Sequence, residues 1–411
     1  MKRSIEEWFL LGVEALADGD LDRAVRVLKQ LEKKSPEHLM TVELRGDIAR
    51  DSGNTEEAFE HYKLLIDPMH PLPKRAIGLM NLATLHQSLR EVDQAIECVR
   101  QAIDIYAGIQ HVEDEWHARR FLCEMLIDFG RFADAASHAQ ELLEEIKQHP
   151  KRRKFLDFAI EVRYYLADAL RFIGELDESA KHWEKICQLG RKHEFPVELA
   201  MGLDGLGVVR QMQGRYVEAL ALHNESLELD RKLRDEEGQS VSLGNLARLC
   251  IHLEKWDEAQ GYALQSLEIE RRHESVLGIA FVNLVLAEVD MGRGNFLEAE
   301  KRLLQLERLY RREGLTDDLI AVSSQLGVVF RHLKRYEEAE LMQRRVLDLV
   351  QEAGHGDGIA STFEELGEIK AAQGEFDEAR KNYAMAVEGF LRIGVMHRVE
   401  DIRGKLERLG S

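Results

Sequence analysis

A large apolar residue stands beside a small one at Leu206-Gly207, Leu246-Ala247, Leu286-Ala287, Leu326-Gly327 and Leu366-Gly367. An alanine follows each pair at one fixed interval, as Ala219, Ala259, Ala299, Ala339 and Ala379, so that pair and alanine advance together by a constant 40. Between pair and alanine comes a polar turn with one aromatic, as in Gly214-Arg215-Tyr216-Val217-Glu218-Ala219, echoed by Trp256, Phe296, Tyr336 and Phe376. A fixed period of this size predicts a stacked repeat architecture.

Each part of the unit has a physical reading. Glycine permits the left-handed backbone that ends one helix. The aromatic two positions on is large enough to plug a junction of helices. Alanine is the best helix former and lets two backbones approach closely. A large residue beside a small one marks the same closeness on the preceding helix. The predicted unit is helix–turn–helix with a tight crossing.

The chain resembles the tetratricopeptide repeat (TPR) family, most clearly in its first unit. There Trp8, Leu11, Gly12, Ala15, Gly19, Ala24, Leu28 and Pro36 fall at the spacings of that family's 34-residue signature. The resemblance covers nearly the whole chain and implies an all-α fold, a right-handed superhelix (α-solenoid). The expected inventory is about ten repeats plus a capping helix, 21 helices and no strands. The long form of the repeat is similar to repeats of kinesin light chains, Pins/LGN adaptors and Rap-type regulators, all of which bind peptides or proteins.

In chain order, residues 1–66 hold two short repeats, with Ala58 one short-form period after Ala24. Residues 67–73 carry Pro68, Pro71 and Pro73 and form a break, since proline stops a helix. Residues 74–394 hold eight longer repeats. The steps between key positions are 37 to Ala95, 40 to Ala135, 44 to Ser179 (where alanine is expected), then a constant 40. Six extra residues per repeat lengthen its helices by roughly one to two turns in total. Residues 395–411 form a cap, with Val395, Val399, Ile402, Leu406 and Leu409 at helical spacing.

The 411 residues exceed what one globular core usually supports, a limit that a solenoid avoids. With 56 basic and 75 acidic residues the net charge is −19, which disfavours nucleic acid and anionic membranes as partners. Neither a signal peptide nor a membrane span is expected. Cys98, Cys123, Cys187 and Cys250 are far apart, lack a CxxC, and read as reduced thiols of a cytoplasmic protein. No HExxH or zinc-ligand spacing, Gly-x-Ser-x-Gly or Cys/His pair occurs. A non-enzyme without metal or cofactor is expected.

In the TPR family the first helices line a concave groove. Carried onto this chain, three columns face inward. They run through Tyr164, Asp204, Gly244, Leu284, Ser324 and Glu364; through Asp168, Val208, Arg248, Glu288, Val328 and Glu368; and through Arg171, Gln211, Ile251, Met291, Arg331 and Ala371. The mixture suits an extended peptide, with arginines for carboxylates and apolar pockets for anchors. Asn81 and Asn245 stand where Pins/LGN-like repeats hold a ligand's backbone. The carboxylate clamp of chaperone-binding relatives is missing, because its places fall at Phe9 and Val13. The expected contacts are Arg171, Gln211, Asn245, Arg248 and Arg331.

Remaining signals read as ordinary structure. Lys151-Arg152-Arg153-Lys154 reads as a solvated loop or helix start, and Gly354-His355-Gly356-Asp357-Gly358 as a repeat-joining turn. His252 and His332, near the ends of first helices, are candidates for pH tuning. The expected function is a scaffold or adaptor that binds a partner protein or extended peptide. Two alternatives are a sensor that closes on a small signal peptide and a self-assembling structural protein.

Overall fold

The computed structural model describes residues 3–150, 152–353, 356–392 and 395–409. Among these there are 21 α-helices and one 3-10 turn, and no strand. The short repeats pair α1 (Ile5–Ala17) with α2 (Leu21–Lys34) and α3 (Leu39–Asp51) with α4 (Thr55–Leu65). Next come α5 (Leu72–Ser88) with α6 (Val92–Gly108), α7 (Val112–Asp128) with α8 (Phe132–Gln148), and α9 (Leu156–Phe172) with α10 (Leu176–His193). The regular block pairs α11 (Pro196–Met212) with α12 (Tyr216–Leu233), α13 (Glu236–His252) with α14 (Trp256–Arg272), and α15 (Val276–Gly292) with α16 (Phe296–Glu313). It closes with α17 (Thr316–His332) and α18 (Tyr336–Ala353), α19 (Gly356–Gln373) and α20 (Phe376–Arg392), then the single α21 (Met396–Arg408).

The first four helices have 11–14 residues and those of the later repeats 17 or 18, so the longer period is spent on helix length as expected. The prolines at 67–73 do not interrupt packing. Pro71 caps α5, Pro73 sits in its first turn where no amide hydrogen is needed, and α4 packs on α5. The enlarged step before Ser179 is absorbed by the 3-10 turn Arg152–Phe155. Lys151 and the side chains of Arg152 and Arg153 lie outside the described residues, as do Gly354 and His355.

In several repeats the small residue of the first helix meets the residue 16 positions on, in the second helix, whereas Gly12 of α1 meets Leu44 of α3. A β-carbon on Gly46 would stand 2.5 Å from the Tyr62 ring, on Gly207 2.6 Å from His223, and on Gly367 2.6 Å from Tyr383. The key alanines are fully buried. Ser179 takes the alanine place by donating its hydroxyl hydrogen to the Ala167 carbonyl at 2.6 Å. The turn between the two helices is left-handed whether or not glycine is present. Gly214 and Gly294 have φ of 74° and 78°, and Glu254 and Lys334 have 55° and 61°.

Contacts divide the chain into two compact units, residues 1–205 and 206–411. In the first, the largest core surrounds Trp116 and Leu126 and draws on α5 to α9. Trp116 also donates to Glu145 at 2.8 Å. In the second, the largest core joins α15 to α19 through Leu303, Val322, Leu326 and Phe330. The second unit ends on α21, whose Val399 and Ile402 are fully buried against Tyr383, Ala386 and Phe390. This is the expected cap.

Candidate functional site

Arg171 lies in the first unit and Gln211, Asn245, Arg248 and Arg331 in the second. Arg171 is already engaged. Its Nε donates to Asp168 at 2.9 Å, and its guanidinium lies 3.9 Å from the centroid of the Phe172 ring. Arg331 faces Glu365 at 3.4 Å. Burial pushes the Glu365 carboxyl above its ordinary range while Arg331 opposes it. Arg248 differs. It is exposed, and it enters no ion pair among the described residues. Asn245 and Gln211 are half-buried, and neither amide has a hydrogen-bond partner among the described residues.

Helical periodicity sets Asn245 and Arg248 on one face of α13. On α13, Val241, Gly244, Asn245 and Arg248 follow one another at helical spacing. On α15, Leu277, Phe281, Leu284 and Glu288 do the same. Val241, Leu277 and Phe281 are exposed, and the absence of a side chain at Gly244 leaves room for the Phe281 ring, 3.0 Å from where a β-carbon would be. Burial pushes the Glu288 carboxyl above its ordinary range, while Arg248 and a 3.2 Å hydrogen bond from Gln325 oppose it. The result is an apolar strip bordered by one unpaired cation and one uncommitted amide.

The far end of the expected columns is occupied from within. Glu364 accepts from Lys405 of α21 at 2.9 Å and pairs with Arg398 of the same helix. Lys405 also reaches Glu368 at 2.5 Å. Both carboxylates therefore serve the cap. His252 stacks on Tyr216 at 6.2 Å and His332 on Phe296 at 4.4 Å. Each turn aromatic thus seals the end of the next first helix. Burial, with Arg331 nearby, holds the His332 imidazole below its ordinary value.

A second feature went unnoticed in the sequence. In the first unit, α8, α9, α10 and the chain into α11 enclose a cleft of about 1250 Å³. Lys147, Lys154, Arg163, Lys181, Lys185 and Lys192 line it, against the acids Glu144, Asp157 and Glu198. Leu143, Leu156 and Phe195 supply apolar wall. Lys154 belongs to the Lys151–Lys154 run that reads as a solvated loop, and the other cations come from separate helices.

Family comparison agrees with the architecture along most of the chain. One tetratricopeptide-repeat family matches residues 9–71 and 80–150, the MalT-like TPR region matches residues 155–332, and a further tetratricopeptide-repeat family matches residues 318–392. The chain belongs to the tetratricopeptide repeat family. Among solved structures, the apo form of RapI is similar, with a TM-score of 0.61 and 10% identity over 86% of this chain and 99% of that one. The apo quorum sensor NprR from B. thuringiensis gives 0.58 and 16% over 84% and 98%. A Rap protein complexed with competence and sporulation factor gives 0.57 and 14% over 85% and 98%. At such identities the likeness is one of fold. No curated protein matches the chain in sequence. No described helix is long and apolar enough to cross a membrane, and no metal-binding group of His, Cys, Asp and Glu occurs among the described residues.

Proposed function

We propose that this TPR protein is a scaffold or adaptor that binds an extended segment of a partner protein, or a peptide, on the face of its first helices. The observation that carries this reading is the strip on α13 and α15, where Val241, Leu277 and Phe281 remain exposed beside the unpaired Arg248. Apolar side chains kept at the surface mark contact sites. An unpaired guanidinium next to them suits a ligand carboxylate, and Asn245 suits a ligand backbone. Arg171, Gln211 and Arg331 complete the proposed contacts, the first and last by exchanging an internal carboxylate for one on the ligand. The protein acts by binding and performs no chemistry of its own, in a cytoplasmic setting.

The test is affinity capture from native lysate by wild type and by a variant with all five residues changed to Ala. The expected result is a partner bound by wild type and lost from the variant, with Arg248→Glu alone weakening it by about tenfold or more. A partner kept by the variant would overturn the assignment of the face. A second reading draws on the Rap protein complexed with competence and sporulation factor and on the quorum sensor NprR. In it the ligand is a small signal peptide that changes the protein's conformation. Small-angle scattering separates the two, since a sensor compacts on binding and a scaffold does not.

A further inference from the structure

We infer that the cleft between α8 and α10 is a second binding site, distinct from the first-helix face, and that its ligand is a short acidic peptide segment bearing an apolar side chain. The first argument is charge. The protein carries a net −19, yet this cleft gathers six cations against three acids. Some are balanced locally: Lys154 pairs with Glu113 at 2.7 Å, Lys181 with Glu178 at 2.5 Å and Lys147 with Glu144 at 3.3 Å. Lys185, Lys192 and Arg163 are in no ion pair among the described residues.

Arg163 is the stronger witness. It rises from α9, and its Nε is buried without a hydrogen-bond partner. Its Nη1 meets His182 Nδ1 at 3.0 Å. A guanidinium can only donate, so His182 Nδ1 is the acceptor of that bond; burial, and then Arg163 itself, hold the imidazole below its ordinary value. The guanidinium is largely buried, and although Glu144 across the cleft favours its charge through space, no carboxylate forms an ion pair with it among the described residues. Leaving it so costs stability, and a carboxylate from outside would relieve the cost.

Geometry selects the ligand class. Lys181, Lys185 and Lys192 follow one another along α10 in a row of about 16 Å. About five residues of extended chain span that length. A compact anion would need convergent donors, whereas a row needs spaced carboxylates. Leu143, Leu156 and Phe195 add an apolar wall on which one large side chain of the ligand can be buried. The cleft volume, about 1250 Å³, is above the usual range for a small-molecule pocket and fits several peptide residues.

The experiment uses the full chain and a fluorescein-labelled peptide of Asp and Glu around one Leu, followed by anisotropy. The matched peptide of Asn and Gln should bind at least about tenfold more weakly. Lys181→Glu with Lys185→Glu, both exposed, should weaken the acidic peptide by at least about tenfold. The same charge reversal at the exposed Lys29 and Lys33 of α2 should leave it unchanged. Arg163→Met should weaken binding while holding or raising the thermal midpoint, because it removes a largely buried charge that no ion pair satisfies among the described residues. Equal affinity for the neutral peptide, or no effect of the α10 reversal, overturns the inference. So does tighter binding of a single-stranded oligonucleotide, or a concentration-dependent mass abolished by the α10 reversal, which would assign the cleft to a second copy of the chain.

Discussion

Gly367 and Gly261 are both helical, and their surroundings give them opposite fates. A β-carbon on Gly367 would stand 2.6 Å from the ring of the buried Tyr383, whereas Gly261 has nothing within 4 Å. Gly367→Ala should therefore destabilise by about 1–3 kcal/mol through overpacking. Gly261→Ala should stabilise by about 0.5–1 kcal/mol through helix propensity alone. Urea unfolding midpoints measure both; a stabilising Gly367→Ala would contradict the tight crossing. The Leu-Gly pairs were legible because the sequence keeps a small side chain at one phase of every repeat. Their partners were not, since which of His223, Gln343 or Tyr383 fills the space depends on the crossing itself.

At the scale of one element, α21 is held by two kinds of contact. Val399 and Ile402 bury apolar surface, and Lys405 and Arg398 satisfy carboxylates on α19. Glu364 is only 5% exposed, so loss of its partners leaves a buried charge. Lys405→Met should cost about 1–3 kcal/mol, below the full cost of breaking a buried pair because Lys405 is itself partly in solvent. Hydrogen exchange in α19 and α20 should accelerate, and unchanged exchange there would mean that the apolar contacts alone hold the cap. The apolar stripe of this helix was readable from spacing. Its ionic side was not, because Glu364 and Glu368 fit the phase of groove residues equally well and only the seating of α21 claims them.

For the whole molecule, stability is a sum of repeats and their junctions, so a perturbation should stay local. Asp47 provides the probe. Burial raises its carboxyl from 3.8 to about 6, outweighing the 2.8 Å hydrogen bond from Tyr62 and the nearby Arg50, which lower it. The folded state therefore holds this proton more tightly than the unfolded one. Its stabilising effect is complete below about pH 4 and is lost as pH rises through 6. The full effect is on the order of 3 kcal/mol. Asp47→Asn keeps the acceptor oxygen and should remove this pH dependence. Exchange in α3 and α4 should slow at neutral pH while α13 to α20 stay unchanged. A uniform change along the chain would show that the repeats unfold together.

The sequence by itself determined the repeat: its period, the helix pair, the close crossing, the left-handed turn and the terminal cap. These follow from local steric rules restated in every repeat, so each copy reinforces the reading. Only the tertiary structure decided which charges are spent and which are free. Arg171 and Arg331 form ion pairs, Arg248 forms none among the described residues, and Arg163 lies buried against His182. Opposite charges find each other through space rather than along the chain. The cleft of the first unit was hidden for that reason, since its lysines look like a solvated face until α8, α9 and α10 bring them to one wall.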